Sequence, residues 1–442
     1  MGIDGIMRFL KAKVPHTIVK VPAASSFVGQ RIAVDLSIIM CAVRVVTYRG
    51  TLSGVDIIAS RGKVNMDSVD AITVNRVFGI IKRMVTEYGM FPVVVMDGKT
   101  PEAKRLHASK RRQADADAAR AELEEVERLI AIAAAKVESG AIQGTVGMDS
   151  ADILADMIGG LSIADEGDDA PSTDPDGERR PDLDELFATG GPEDYYRRYY
   201  NALCRCWYDT YDRQMLEARV LAKLEALAPD VLVLRAVGES DGLCASLFME
   251  GRVSAIYSTD TDMIVRGCTR LITSIAGAEG EGTESRFATV VRVDNAILEE
   301  LGLTRTTFTE TAIMAGCDYN DGIKGISFTT AHRHILSYGT IEAYGADKGV
   351  DVACLNAGVC RDQFRYKPSP QLIDGGVLPS ELLSTAEGSD RVQRRQRVER
   401  ERAEADDEAN EPPPIRSMDS HAPKLLNIRA EDLEALFDRP GV

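Results

Sequence analysis

The 442-residue sequence lacks several patterns that mark membrane, secreted or zinc-binding proteins. No run of about 18 apolar residues occurs and no apolar signal segment opens the chain, so we expect neither a membrane span nor secretion. The eight cysteines form no CxxC pair and the five histidines complete no zinc pattern, which predicts reduced thiols and no zinc site. These absences lead us to expect an intracellular protein of the nucleus or cytoplasm.

The chain has 52 basic residues against 69 acidic ones, and the resulting net charge of −17 at first argues against a nucleic-acid partner. However, residues 145–194 contain 15 acids and two arginines, a net charge of −13, which leaves −4 for the rest of the chain. Because the segment of about 140–192 is rich in Asp, Gly and Pro and poor in aromatic residues, it predicts a disordered insert. The overall charge therefore excludes no class of partner.

Two acidic pairs follow two apolar runs within residues 231–262. Glu239 and Asp241 follow VLVLRAV, whereas Asp260 and Asp262 follow VSAIYS. We expect two buried parallel strands with each pair in an extended segment, so that both side chains of a pair lie on one side of the backbone. Parallel sheets bind ligands beyond the carboxyl ends of their strands, and four carboxylates gathered there indicate a divalent cation. Taken singly, either pair could also be solvated loop residues.

Three more acids occupy similar positions. Asp35 ends the predicted strand IAVD, Asp97 ends FPVVVMD, and Asp318 follows a predicted helix at a Gly/Asp-rich turn. Carboxylate oxygens suit hard cations such as Mg²⁺ or Mn²⁺, whereas zinc would favour His or Cys. Residues 98–112, directly after Asp97, contain six basic residues and one acid. This segment predicts phosphate binding, with a solvated helical face as the alternative.

Residues 195–200, YYRRYY, interleave four tyrosines with two arginines. The tyrosines recur at i, i+4, a spacing that favours helix packing, although the same composition can stack on single-stranded nucleic acid.

In their order and separation, these segments resemble the flap endonuclease/XPG family of structure-specific 5′ nucleases. The resemblance rests on the MGI–G start, IAVD, VMDGK–P, the E–D…STDTD block and AGCDYNDGIKGI, and covers roughly residues 1–112 and 215–335. It implies an α/β fold with a central, mostly parallel sheet and helices on both faces (the PIN-like 5′-nuclease fold), a helical arch and a helix-two-turn-helix-like segment. It divides the chain into a nuclease core of residues 1–99 and 229–336, an arch region of 100–228 containing the acidic insert, and a partly disordered extension of 337–442.

The resemblance also implies an activity, namely the hydrolysis of phosphodiester bonds in flapped, gapped or branched DNA during replication, repair or recombination, with two Mg²⁺ or Mn²⁺ ions. Seven acids would bind the ions: Asp35, Asp97, Glu239, Asp241, Asp260, Asp262 and Asp318. Catalytic roles are implied for Asp97 and Asp241, and for Lys104 and Arg111, which match the basic pair that reaches the scissile phosphate. Further nucleic-acid contacts are expected from Gly2, Lys99, Arg105, Lys110, Arg112, Lys324 and Gly325. Two alternatives stay open, an RNA-cleaving nuclease of the herpesvirus virion host shutoff type and an inactive nucleic-acid-binding relative.

The sequence departs from the family pattern at four places. Ser327, in Gly325-Ile-Ser-Phe-Thr-Thr, stands where cellular members have the second glycine of Gly-x-Gly-Pro-Lys, Cys41 replaces a base-stacking tyrosine, and Asp241 replaces a longer glutamate. No sliding-clamp motif is recognised near the C-terminus. The loss of this glycine, with no lysine after it, predicts weak potassium binding and weak duplex anchoring. Together, the departures are similar to those of divergent members from large DNA viruses.

Overall fold

The computed structural model describes residues 2–3, 5–54, 63–102, 104–105, 113–114, 116–128, 192–206, 211–277 and 286–383. Apart from Pro192, the predicted acidic insert lies outside the described residues, as do Lys110, Arg111, Arg112 and residues 384–442. The chain divides into two compact units: unit 1 contains Met1–Val43, Thr73–Ser109 and Gln214–Val442, and unit 2 contains Arg44–Ile72 and Lys110–Arg213.

Unit 1 is built on a seven-stranded sheet. Its strands are β1 (Ile18–Pro22), β2 (Arg31–Asp35), β3 (Phe91–Met96), β4 (Leu232–Arg235), β5 (Ala255–Tyr257), β6 (Leu271–Gly277) and β7 (Arg286–Val291). Their spatial order is β1-β7-β6-β5-β2-β3-β4. The five strands from β6 to β4 pair in parallel, whereas β7 is antiparallel to both β6 and β1. The predicted mostly parallel central sheet is therefore confirmed.

Helices cover both faces of the sheet, as predicted. The named helices of the two units, in chain order, are α1 (Ile6–Lys13), α2 (Ala23–Phe27), α3 (Leu36–Leu52), α4 (Met66–Thr86), α5 (Pro192–Arg205), α6 (Arg213–Leu224), α7 (Ser240–Met249), α8 (Asp262–Val265), α9 (Asn295–Glu300), α10 (Arg305–Ala315), α11 (Phe328–Tyr338), α12 (Ile341–Lys348), α13 (Ala357–Phe364), α14 (Ser369–Leu372) and α15 (Ser380–Leu383). Among the described residues, none of these helices is long and apolar enough to cross a bilayer.

The central strands read as near-continuous apolar runs because helices bury them on both sides. In β2, Ile32, Ala33 and Val34 are completely buried. The edge strand β1 was not predicted from the sequence. Its five residues are all partly or fully exposed and include Lys20 and Pro22, so they give no strong apolar signal.

Helices α10 and α11, joined by residues 316–327, form the predicted helix-two-turn-helix-like segment. The core continues beyond the predicted limit at residue 336, because Ile341, Leu355 and Cys360 are completely buried in the main hydrophobic cluster. Residues 341–382 thus contribute to the same core as the sheet. The proposed domain boundaries themselves stay a prediction.

Unit 2 contains the middle of the predicted arch region, whereas the described residues at its two ends, 100–102, 104–105 and 214–228, belong to unit 1. Residues 116–128 are helical, and Val126 packs in one apolar cluster with Tyr48 and Tyr199 of α5. The Tyr199 hydroxyl donates to Glu127 Oε1 at 3.2 Å, and the Tyr200 hydroxyl donates to the Arg49 carbonyl at 3.2 Å. For these two tyrosines the packing interpretation is confirmed.

Candidate metal centre

Four neighbouring parallel strands deliver acids to one edge of the sheet. Asp35 is the last residue of β2, Asp97 follows β3, Glu239 follows β4 and Asp260 follows β5. Because these strands are adjacent in the order β5-β2-β3-β4, their carboxyl ends lie side by side. Strand pairing therefore collects carboxylates that are up to 225 positions apart in the sequence.

The three acids Asp260, Asp262 and Asp318 form the tightest cluster. Each offers an oxygen, and these three oxygens all lie within 4.8 Å of one another. All three residues are buried, and Asp262 is completely so. Within the described part of the chain, neither carboxylate oxygen of Asp262 has a hydrogen-bond partner. Buried carboxylates without partners are costly, so this cluster of oxygen donors fits a hard divalent cation.

The electrostatics of the cluster support the same conclusion. Burial, together with repulsion from Asp318, raises the pKa of Asp260 to about 6. Burial and the neighbouring Asp260 likewise raise the pKa of Asp262 well above its usual range. These carboxyls would resist ionisation without a cation, and a bound divalent ion would relieve the cost.

Asp35 and Asp97 are joined by a residue that the sequence analysis did not select. Ser240, the first residue of α7, donates its backbone N–H to Asp97 Oδ1 at 2.7 Å and its hydroxyl to Asp35 Oδ1 at 2.8 Å. Burial and the charge of Asp97 raise the pKa of Asp35 well above its usual value. The two acids therefore face the N-terminus of α7, where helical N–H groups favour negative charge.

The expected extended geometry of the two acidic pairs is wrong. Glu239 precedes the first turn of α7 and Asp241 lies inside that turn, while Asp262 is the first residue of α8. Helical turns begin there because the chain must fold back over the sheet immediately after each strand. Asp241 consequently forms an ion pair with Arg266, whose Nη2 lies 2.6 Å from Asp241 Oδ2.

Lys104 lies among the predicted ligands. Its Nζ is 2.6 Å from Glu239 Oε1 and 2.8 Å from Asp318 Oδ2. Burial alone would lower the pKa of Lys104, but the Asp318 and Glu239 carboxylates raise it well above its usual value. The pKa of Asp318, which burial would raise, falls below its usual range because of the lysine. Burial and the charge of Asp241 raise the pKa of Glu239 to about 7 despite the lysine.

Gly2 contacts the same cluster, which explains why the chain has glycine there. Its backbone N–H donates to Asp318 Oδ1 at 3.3 Å. Its φ of 101° is in the region that favours glycine, and an added Cβ would lie 2.4 Å from Thr261 Oγ1 and 2.6 Å from Asp260 Oδ1. Gly2 was predicted as a nucleic-acid contact, but the observed contacts are with the acidic cluster.

The other predicted nucleic-acid contacts lie on the surface. Lys99, Arg105, Lys324 and Gly325 are exposed, and Arg105 is within 3.8 Å of Glu102. Ser327 is the N-cap of α11 and accepts from the Thr330 N–H at 3.4 Å. The roles of these residues stay predictions, as do those of Lys110, Arg111 and Arg112, which lie outside the described residues.

Besides Ser240, two further residues of the site were not predicted from the sequence, Tyr319 and Arg266. The Tyr319 hydroxyl donates to Glu239 Oε2 at 2.9 Å. Tyr319 directly follows Asp318, so its proximity could have been predicted. Arg266 follows the acidic STDTD block but gives no sign of its partner, because Asp241 lies 25 positions earlier.

Two protein-family models match the chain, the XPG N-terminal domain over residues 1–118 and the XPG I-region over residues 230–318. Among curated relatives, flap endonuclease 1-B of Physcomitrium patens is 28% identical over 346 residues, covering 77% of this chain and 74% of the relative. Flap endonuclease 1 of Cryptosporidium muris is 23% identical over 349 residues, covering 77% of this chain and 57% of the relative. The two matched ranges contain all seven predicted acids and Lys104.

Among solved structures, the catalytic core of Rad2 in complex with DNA substrate aligns with a TM-score of 0.43 and 15% identity, covering 88% of this chain and 86% of that one. The flap endonuclease-1 from Methanococcus jannaschii aligns with a TM-score of 0.40 and 16% identity, covering 79% and 83%. The comparison with a protein family therefore rests on the two matched family models, and not on these structural alignments.

Proposed function

Because the chain belongs to the flap endonuclease/XPG family of structure-specific 5′ nucleases, we propose that it hydrolyses phosphodiester bonds in flapped, gapped or branched DNA. The observation that carries the proposal is the buried cluster of Asp260, Asp262 and Asp318 with Lys104 at its side. A protein that only bound nucleic acid would gain nothing from buried carboxylates that repel one another. The family match favours DNA over RNA as the substrate, and a viral source stays a prediction.

In this proposal, Asp260, Asp262 and Asp318 hold one divalent ion, and Asp35, Asp97, Glu239 and Asp241 contribute to a second. Mg²⁺ or Mn²⁺ suits such oxygen donors. Bound ions would lower the pKa of an attacking water and stabilise the charge on the leaving oxygen. The protein's own part is to hold these carboxylates in fixed positions before substrate arrives, through the strand ends and the Ser240 hydrogen bonds.

Lys104 has two successive partners in this proposal. In the absence of a divalent ion, its ammonium neutralises Glu239 and Asp318, at the distances given above. If those carboxylates held metal, the Lys104 ammonium would lose these two partners and could contact the scissile phosphate instead. Lys104 would then stabilise the negative charge of the transition state rather than that of the free protein.

The proposal is tested by cleavage of matched labelled substrates by the full-length protein, with Mg²⁺, Mn²⁺ or EDTA. The substrates are a 5′-flap DNA, single-stranded DNA, nicked duplex and RNA of the same sequence. We expect Mg²⁺-dependent cleavage near the flap junction by the wild type and by Asp374→Asn, whose side chain is exposed. Asp260→Asn should be inactive. Failure of the wild type to cut any DNA with either metal would overturn the proposal.

A further inference from the structure

Arg266 is a buried arginine beside the metal centre, immediately after α8. It is 8% exposed, and its Nη2 lies 2.6 Å from Asp241 Oδ2. The same Nη2 donates to the Tyr319 hydroxyl at 3.2 Å. Its Nη1 donates to the Gln363 carbonyl, and its Cζ lies 5.4 Å from the centroid of the Phe364 ring. Partners at both terminal nitrogens and at the face of the guanidinium therefore hold it, while Nε has no hydrogen-bond partner among the described residues.

These contacts connect Arg266 to both acids at the start of α7. It reaches Asp241 directly, and it reaches Glu239 through Tyr319, whose hydroxyl donates to Glu239 Oε2 at 2.9 Å. An arginine suits this position because its planar group offers several donors in fixed directions and stays charged when buried. A lysine could neutralise the charge but could not hold the two partners in the same geometry.

We propose that Arg266 is a positioning residue of the metal centre, which holds Asp241 directly and Glu239 through Tyr319. Its permanent charge offsets one carboxylate, so the acids at the start of α7 stay ordered before metal binds. Asp260, Asp262 and Asp318 form no direct ion pair with an arginine among the described residues, although the charge of Arg266 also acts on Asp262, so divalent ions are drawn mainly to these three acids. The inference rests on the proposed metal-dependent function.

The first test is Arg266→Gln. Removing the guanidinium adds one net negative charge beside the cluster and frees Asp241 to move. We expect the nucleic-acid-free protein to bind Mg²⁺ at least about threefold more tightly by calorimetry, because attraction to a divalent ion grows with the local negative charge. The single-turnover cleavage rate at saturating Mg²⁺ should nevertheless fall by about tenfold or more, because the ligands are no longer held in place. Arg266→Lys should restore the Mg²⁺ affinity but only part of the rate.

Arg305→Gln is the matched control. Arg305 is half-buried, whereas Arg266 is buried; it also lies near α8, but its guanidinium donates to the carbonyls of Ile264 and Val293 at 3.0 and 3.3 Å. We expect this variant to lower the melting temperature while leaving the Mg²⁺ affinity unchanged. A higher Mg²⁺ affinity together with a lower cleavage rate should therefore occur in Arg266→Gln and not in Arg305→Gln.

If Arg266→Gln folds but is too unstable for the cleavage and calorimetric assays, the double variant Asp241→Asn/Arg266→Gln keeps the proposal testable. Replacing both members of a buried ion pair leaves no uncompensated charge, so the double variant should fold and melt above the single variant in EDTA. Equal melting temperatures would show that the two residues are not coupled and would overturn the proposal.

Two other results would also overturn it: a Mg²⁺ affinity of Arg266→Gln equal to that of the wild type, or a parallel loss of affinity and rate in the arginine and control variants. Failure of the nuclease function itself gives a different result, because the wild type would then cut no DNA with any metal.

Discussion

Replacing Asp262 with asparagine should stabilise the metal-free protein while abolishing cleavage. The ligand oxygens of Asp260, Asp262 and Asp318 lie within 4.8 Å of one another. Two like charges at that separation repel by about 3.5 kcal/mol at an effective dielectric constant of about 20. Protonation already relieves part of this repulsion in the wild type. We therefore expect Asp262→Asn to raise the free energy of unfolding of the metal-free protein by about 1–3 kcal/mol at pH 8, or the melting temperature by a few degrees.

The sign of the pH dependence follows from the raised pKa values. Asp260 and Glu239 have pKa values of about 6 and 7 in the folded protein, above those of the unfolded chain. Between the unfolded and folded pKa values, the folded state binds more protons, so its stability falls as the pH rises. The metal-free wild type should therefore be more stable at pH 5 than at pH 8. Asp262→Asn should show a smaller difference.

The measurement is thermal unfolding at pH 5 and pH 8, in EDTA and in Mg²⁺, with Asp374→Asn as the control. Mg²⁺ should raise the melting temperature of the wild type at pH 8 and raise that of Asp262→Asn much less. Single-turnover cleavage by Asp262→Asn should be at least about a hundredfold slower than that of the wild type. A lower melting temperature of the variant in EDTA at pH 8, or cleavage at the wild-type rate, would refute the assignment of Asp262 to a metal site.

Three more predictions concern other residues of the site. Lys104→Ala should lower the single-turnover rate more than substrate affinity. It should also lower the metal-free melting temperature, since Glu239 and Asp318 lose their counter-charge. A loss of substrate affinity alone would show that Lys104 only contacts the nucleic-acid backbone. Gly2→Ala should remove most cleavage with little change in melting temperature, because the added Cβ would overlap Asp260 and Thr261. Normal cleavage by this variant would contradict the observed φ of 101° at Gly2. Exchanging potassium for sodium at constant ionic strength should change flap binding little, because Ser327 caps a helix where cellular members have glycine; a potassium-specific gain that Ser327→Ala abolishes would contradict this.

Much of the candidate metal centre could be predicted because it depends on local patterns and one general rule of topology. A buried strand that ends in an acid, as at Asp35 and Asp97, is visible in the sequence, and the carboxyl ends of adjacent parallel strands must meet. The sequence alone therefore predicted that the acids lie at one edge of the sheet, although it did not predict their hydrogen-bond and ion-pair partners.

The sequence by itself determined which residues could bind a cation, because carboxylates after apolar runs have one plausible use when several strands share an edge. The tertiary structure decided how each acid is used, since this depends on which helix packs beside it. It joined Asp241 to Arg266, placed Ser240 between Asp35 and Asp97, and set Lys104 against Glu239 and Asp318. No periodicity encodes these contacts, because each joins residues from separate elements that meet only once the sheet has formed.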